Sequence, residues 1–425
     1  MRPDPAARAA LFQHPNFSWL MAGSAVSLLG DQFTLIALPC LVLRLTGDTA
    51  ALGAVLALVG VPRALFILLG GAVVDRFSPR RVLMLTKHVN TVLLAVLAWG
   101  VWSQALGLPA IYGLALGLGV STAFSIPSGT SILPHALPPA LLAGANGAMM
   151  GLRQLSMFVG PLAAGGLIAV FGDGSGAVHD ATGIALAFAF DAASFALSAW
   201  TLSHVRMQAP STAAAGTAEG LLASIHQGLL QVWRDEQLRT CYLYWTVVAL
   251  LVLGPLHIAL PVLASSRPEL GASALGLMAG AHGAGSLLGM VTSGLRPGLR
   301  IGTLGTSVLL ADVAIGLLFM PLGRIEAAWQ GAALMLAVGV LGGFMQVAVF
   351  TWVQRRVPAA MLGRAMSLFM FIFMGLVPLA SAATGWLLRF VALPQLFAAC
   401  GALLVAAAAL AWVATPIRRV SDAPA

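Results

Sequence analysis

Charge is what this sequence has least of: 8% of its 425 residues are charged and 59% are hydrophobic, where a soluble globular domain carries about 25% charge. A shortfall that deep excludes a water-soluble domain. Lysine is almost missing, with Lys87 alone beside twenty-one arginines. Cysteine is reduced to Cys40, Cys241 and Cys400, widely spaced and each inside an apolar stretch, which excludes a disulfide framework or a cysteine-built zinc site. No H-E-x-x-H, nucleophile elbow or phosphate-binding loop occurs. No enzyme, metal or cofactor is therefore expected. The opening residues, MRPDPAARAALFQHPNFSWL, are polar and lead into an apolar run that contains Asp31, a pattern unlike a cleavable secretory signal.

Hydrocarbon fills the chain instead. Apolar runs of about 20 residues, long enough to cross ~30 Å of lipid, recur from end to end. They are continuous rather than alternating with period two. Lipid offers backbone amides no partner, so such runs span as helices and not as barrel strands. Twelve begin, near Phe17, Ala50, Val82, Pro109, Gly144, Ile184, Thr240, Ala274, Ile301, Gln330, Ala365 and Pro394. An even number puts both termini on one face, and the arginines choose which. Arg2, Arg8, Arg76, Arg80, Arg81, Arg206, Arg234, Arg239, Arg296, Arg300, Arg355, Arg356, Arg364, Arg418 and Arg419 fall on one side, against Arg44, Arg267, Arg324 and Arg389 on the other. The positive-inside rule makes the crowded side, with both termini, cytoplasmic. The formal net charge of +8 then follows from topology, and nucleic acid is not expected as a partner.

The longest polar stretch separates the sixth run from the seventh. It begins QAPSTAAAGTAEG, small and flexible, and continues with Leu222, Ile225, Leu229 and Trp233 at helical spacing. We read it as a cytoplasmic linker with a surface amphipathic helix, residues 203–239, between lobes of six helices at 1–202 and 240–425. The halves echo each other. Pro138, Ala140, Leu142 and Ala145 match Pro358, Ala360, Leu362 and Ala365 in spacing, and a helix proline follows each set, Pro161 and Pro378. Such a six-span repeat is the mark of a duplicated transporter.

Between the second and third runs stands GGAVVDRFSPRR, Gly70–Arg81. Gly71 lets a helix end approach its neighbour, Asp75 can pair with arginine and with helix N-terminal amides, and Arg76, Arg80 and Arg81 face cytosol and anionic lipid. A loop that only sets topology accounts for Arg80 and Arg81 but not for Asp75. A conformational latch accounts for all of them. The pattern Gly71-x-x-x-Asp75-Arg76, followed by Arg80 and Arg81, resembles the signature loop of the major facilitator superfamily, with Ser78 where that family usually has glycine. The second-half loop, Gly294–Arg300, keeps arginines and has no acid.

Further resemblance lies in VGPLAAGG. Its Gly160, Pro161, Gly165 and Gly166 are similar to the helix motif of the superfamily's exporters, with Ala164 at one glycine position. LFQHPNFSWL, LLGDQFTLIALPCLVLRLTGD, Asp191-Ala-Ala-Ser194-Phe195 and TWVQRRVPAAMLGRAMSL resemble the macrolide-efflux and enterobactin-exporter branch. The resemblance implies an exporter of a drug-like or siderophore-like amphipathic small molecule in the inner membrane of a bacterium. It would act by proton antiport and alternating access, as a monomer in the lipid bilayer. Uptake or facilitated transport of a metabolite or lipid is the alternative on the same fold.

Ionisable groups within the apolar runs carry the rest of the reading, since each costs upwards of ~2.5 kcal/mol at the bilayer centre. Asp31 lies mid-span, and Ser24, Ser27, Asp31 and Thr34 are spaced to share a face. It is either the carrier of the coupling proton or one half of a permanent ion pair, with Arg63 or Arg153 as candidate partner; Arg63 alternatively snorkels. Asp191, Ser194 and Ser198 form a second stripe, for which the resemblance implies a structural role, such as capping or bonding to the third span; contact with substrate is the alternative. Asp312 is the one acid within a second-half span. His257 and His282 read as packing residues. Lys87 and His88, near the start of the third run, are expected to snorkel. Met150, Met157, Met370 and Met374 are available to an adaptable pocket.

Overall fold

Each apolar run becomes a helix, and proline and glycine set the ends. Pro15 and Pro79 stand in the first turns of the first and third helices, where a missing N–H costs nothing. Gly47, at φ 61°, ends the first by turning its N–H back to the Leu43 carbonyl. The computed structural model describes residues 11–171, 181–207, 233–267, 270–296, 299–357, 365–366 and 368–421. The proposed amphipathic segment up to residue 232 and the Pro358 repeat element lie outside them.

Among the described residues there are twelve helices of membrane-crossing length. They are α1 Pro15–Thr46, α2 Thr49–Phe77, α3 Pro79–Trp102, α4 Leu108–Ala136, α5 Pro139–Phe171 and α6 Thr182–Ser203. The second series is α7 Glu236–Ser266, α8 Gly271–Leu295, α9 Leu304–Phe319, α10 Ala328–Arg356, α11 Leu368–Leu387 and α12 Leu393–Ala414. The all-helical, twelve-span architecture is the one expected from the apolar runs. Two π turns are additions to that expectation, Ala249–Leu253 within α7 and Phe371–Gly375 within α11. Each stands beside a glycine or proline, at Gly254-Pro255 and Gly375, where a helix yields most easily.

The described residues form two compact units. One holds the chain up to Gly47 and from Val61 to the end of α6; the other holds Asp48–Gly60 and everything from α7 onward. Helix α2 thus starts in the second unit and finishes in the first.

In the first unit α1 packs on α5 and α6, and α3 on α4 and α6. Small residues make this possible. Gly30 of α1 leaves no room for a Cβ, because Asp191 and Ser194 of α6 already occupy that space. At the start of α1, Asn16 donates through Nδ2 to the carbonyls of Ala136 (2.9 Å) and Arg206 (2.7 Å), and its Oδ1 accepts from the Arg206 amide (3.0 Å). One side chain so joins the ends of three helices.

In the second unit the closest helix pair is α8 with α10. Gly285 and Gly289 of α8 lie against the Leu336 and Val340 carbonyls, while Gly339 and Gly343 of α10 lie against those of His282 and Ser286. A Cβ at any of the four would strike backbone, which cannot yield as a side chain can. Two ion pairs fasten the ends of helices. Arg356 of α10 meets Asp235 at 3.0 Å, and Asp235 also accepts from the Gln237 and Leu238 amides as the N-cap of α7. Asp48 and Arg389 form a two-point clasp, one leg being Nε to Oδ1 at 3.1 Å. Beside it Thr49 donates to the Gly385 carbonyl at 2.8 Å.

Gly289→Leu is expected to cost at least ~2 kcal/mol by overpacking, seen as a lower unfolding temperature in detergent with unchanged helix content. The Arg389 hydrogen bond holds the Asp48 carboxyl below its ordinary 3.8. A depressed acid contributes its stability above that range and loses it as pH falls through it. Asp48→Asn therefore costs at most ~1 kcal/mol at neutral pH, because the pair is half exposed. That difference from the unsubstituted protein should shrink steadily as pH falls below 3.8 in the same melting assay.

Candidate coupling and substrate site

Three acids lie away from the helix ends within the described spans, and the structure treats them differently. Asp191 of α6 and Asp312 of α9 are buried, 1% and 6% exposed; Asp31 of α1 is exposed although it lies mid-helix. Of the three it alone is open in this way.

The surroundings of Asp31 are built by five helices of the first unit. Arg63 near the middle of α2 is half-buried, Arg153 near the middle of α5 is exposed, and Lys87 of α3 is 8% exposed. The field of all three cations reaches the Asp31 carboxylate, with Lys87 foremost, then Arg153, then Arg63. The field of Asp31 in turn reaches the carboxyl group of Asp191 on α6. Both arginines named from the sequence as candidate partners of Asp31 are thus gathered around it, together with a third cation that was not.

Lys87 overturns the expectation that it snorkels. Its ammonium donates to the Ser198 hydroxyl at 2.6 Å and lies 5.5 Å from the centre of the Phe195 ring, both on α6. The reason is depth: Lys87 sits two turns beyond Pro79, on the side of α3 that packs on α6, so its stem points into the bundle. His88, next along the helix, is exposed and bonds the Met84 carbonyl. The signal available in the sequence was the lone lysine in a chain that supplies its loop charges with arginine.

The two hydroxyl stripes meet across the α1–α6 contact. Thr34 donates to Asp191, which also accepts from Ser194 at 3.1 Å. Asp191 therefore bonds to α1, while α3 takes Ser198 through Lys87. Ser27 is buried and Ser24 half-buried, so the four polar residues of α1 divide between the helix contact and the open side. Asn90, one turn beyond Lys87, is 3% exposed and its Oδ1 has no hydrogen-bond partner.

The exporter-like motif lies alongside. Pro161 sits inside α5, and Gly160 brings α5 onto the Gln32 side chain, the residue after Asp31. Gly165 is buried, and Gly166 half-buried with open space where a Cβ would stand. On the same helix Asn146, Met150, Arg153 and Met157 are all exposed at helical spacing, giving one open face of mixed polarity. Met370 and Met374 of α11 are exposed as well. In the second unit Asp312 accepts from the Tyr244 hydroxyl of α7 at 2.8 Å. His282 of α8 is oriented by the Met335 carbonyl, while its Nδ1 has no partner.

Of the signature loop, Gly71, Asp75 and Arg76 belong to the last turns of α2, and their side chains lie outside the described residues. Arg80 reaches back to the Ser203 carbonyl at the end of α6, 2.7 Å, and Arg81 is exposed. Ser78 stands at φ 78° and ψ 139°, a conformation that favours glycine. The family's glycine at this place thus has a backbone reason, and this chain keeps the turn while bearing its strain.

Twelve helices of membrane-crossing length, several with acids and cations within them, define a membrane-embedded protein. The sequence matches the Major Facilitator Superfamily over residues 20–382, and the chain belongs to it. It is 25% identical over 377 residues to an MFS-type transporter, y4rN, of Sinorhizobium fredii, covering 87% of each chain. It is 27% identical over 309 residues to the multidrug efflux pump Tap of Mycobacterium bovis, covering 70% of this chain and 69% of Tap. Among solved structures it is similar to the nucleoside transporter NupG, with a TM-score of 0.72 at 13% identity over 94% of this chain and 98% of that one. That last likeness is one of fold.

Replacing Ser78 by glycine removes the steric cost of the positive φ, worth about 1 kcal/mol. A raised unfolding temperature is the expected result, with no gain from Ser103→Gly, which has an ordinary backbone.

Proposed function

We propose that this protein exports an amphipathic small molecule, drug-like or siderophore-like, in exchange for protons. Asp31 carries the reading: it is the open mid-span carboxylate, set among three cations on the first unit's exposed face. A carboxylate so placed exchanges protons with whichever side its face is open to. The cations around it set how tightly that proton is held. The Met150 and Met157 face beside Arg153 offers polarizable apolar surface to a cargo that also needs polar contacts. The name of the relative Tap supports efflux, as does the Gly160-Pro161 motif packed beside Asp31.

In this proposal the six-helix halves, 1–202 and 240–425, joined by the linker 203–239, alternate access to the cargo as a monomer. The membrane is the inner membrane of a bacterium, with both termini cytoplasmic. Gly71, Asp75, Arg76, Arg80 and Arg81 act as the cytoplasmic latch, a role supported by the grip of Arg80 on the end of α6. Asp191 and Asp312 are assigned to support: each is buried and bonded to a hydroxyl on a neighbouring helix.

Asp31→Asn is expected to abolish proton-driven export of macrolides, dyes or catecholate siderophores from everted vesicles, a loss of at least ~100-fold, while expression and melting temperature hold. Wild-type export by that variant removes Asp31 from coupling. Counterflow without proton movement in the unsubstituted protein would instead favour facilitated transport.

A further inference from the structure

Lys87 is the sole lysine of the chain, it is buried, and no step of the export cycle requires it. A buried ammonium is costly unless something compensates it. Its direct partners are a hydroxyl and the face of an aromatic ring, which orient the group without neutralising it. Among the described residues, Asp31 is the carboxylate whose field reaches it. It does so without contact, so neither group is locked into an ion pair, and Asp31 is left open on its exposed side.

The antiparallel register of α3 and α6 fixes the depth of this arrangement. Arg80 meets residue 203 and Lys87 meets residue 198. Asn90 then falls level with Ser194 and Phe195. Ser198, Ser194 and Asp191 lie on one side of α6, and Asp191 reaches Thr34 on α1. Fixed polar groups therefore run from Lys87 to the helix that bears Asp31. Gly30 seals that contact, with no space for water between α1 and α6 at the level of Asp191. A cation held behind a sealed helix contact, near a carboxylate open in front, acts through a medium of low polarity where Coulomb forces are strongest.

We propose that Lys87 is a positioning residue that sets the pH at which Asp31 takes up and gives off its proton. The inference rests on the reading of Asp31 as the proton carrier and adds what tunes it. Among the described residues the charged groups facing Asp31 are Lys87 from α3, Arg63 from α2 and Arg153 from α5, and the carboxyl group of Asp191 faces it from α6. Helix α4 adds none, since Tyr112 and His135 lie near its two ends. The arginines are open to water or half-buried and are screened accordingly. Lys87 is shielded from solvent and keeps its effect at high salt.

The test uses the full-length protein in detergent and dicyclohexylcarbodiimide, which modifies carboxyl groups in their protonated form. The extent of modification at Asp31 is read by peptide mass spectrometry from pH 5 to 9. In Lys87→Gln the pH midpoint of labelling is expected to move up by at least about one unit, because a nearby cation that opposed protonation is gone. Lys87→Arg, which keeps the charge, should return the midpoint toward that of the unsubstituted protein, and Ser198→Ala should move it less than Lys87→Gln does. A midpoint unmoved in Lys87→Gln, in protein that melts as a single species, overturns the proposal. Should Lys87→Gln fail to fold, Lys87→Met supplies the same reading, and an unchanged midpoint there also overturns it. The outcome is separable from that of the export reading. Loss of export in Asp31→Asn with no midpoint shift in Lys87→Gln sinks only the role of Lys87, whereas a shift beside wild-type export by Asp31→Asn sinks only the coupling role of Asp31.

Discussion

A charge inside hydrocarbon must be answered by protein, since lipid cannot answer it, and the arrangement of the first unit follows from that demand. Lys87, Asp191 and Asp31 cost upwards of ~2.5 kcal/mol each if left to lipid. The fold meets this with hydroxyls from α1 and α6, a ring face from Phe195 and fields across α2, α3 and α5. None of this works unless the helices come close, which is why glycine stands where α1 crosses α6. Small residues, usually discussed as packing devices, serve here as the condition for holding ions.

The two units meet the same problem differently. The first gathers ionisable groups from five helices, with one carboxylate open among them. The second, among its described residues, has one acid away from the helix ends, Asp312, buried against Tyr244, and relies on close helix approach between α8 and α10. A duplicated architecture has thus specialised: ions are concentrated in one half and tight packing in the other.

How much of this is legible in the sequence depends on whether a feature is local. Apolar run length and the proline and glycine that bound each run are local, and they mark all twelve spans within a few residues. Asp31, Arg63 and Arg153 are visible as ions in the wrong medium. Their gathering is not, because it depends on helix rotation, which a sequence with little amphipathic contrast does not encode. Lys87 defeats a sequence reading for the same reason: snorkelling is the rule for a lysine near a helix start, and only the face that α3 turns toward α6 overrides it. The clasp of Asp48 with Arg389 joins residues 341 apart and carries no sequence signal at all. Ser78 stands out in the sequence as a departure from a family pattern, and its positive φ supplies the backbone reason.

One consequence of the lone interior lysine concerns chemistry from outside. Acylating and crosslinking reagents that seek side-chain amines have one lysine in this sequence to find, Lys87, and it is buried. That side-chain amine lies behind the joined faces of α3 and α6. Its rate of modification therefore reports how often that seam parts, a breathing clock built into the bundle by the scarcity of one amino acid.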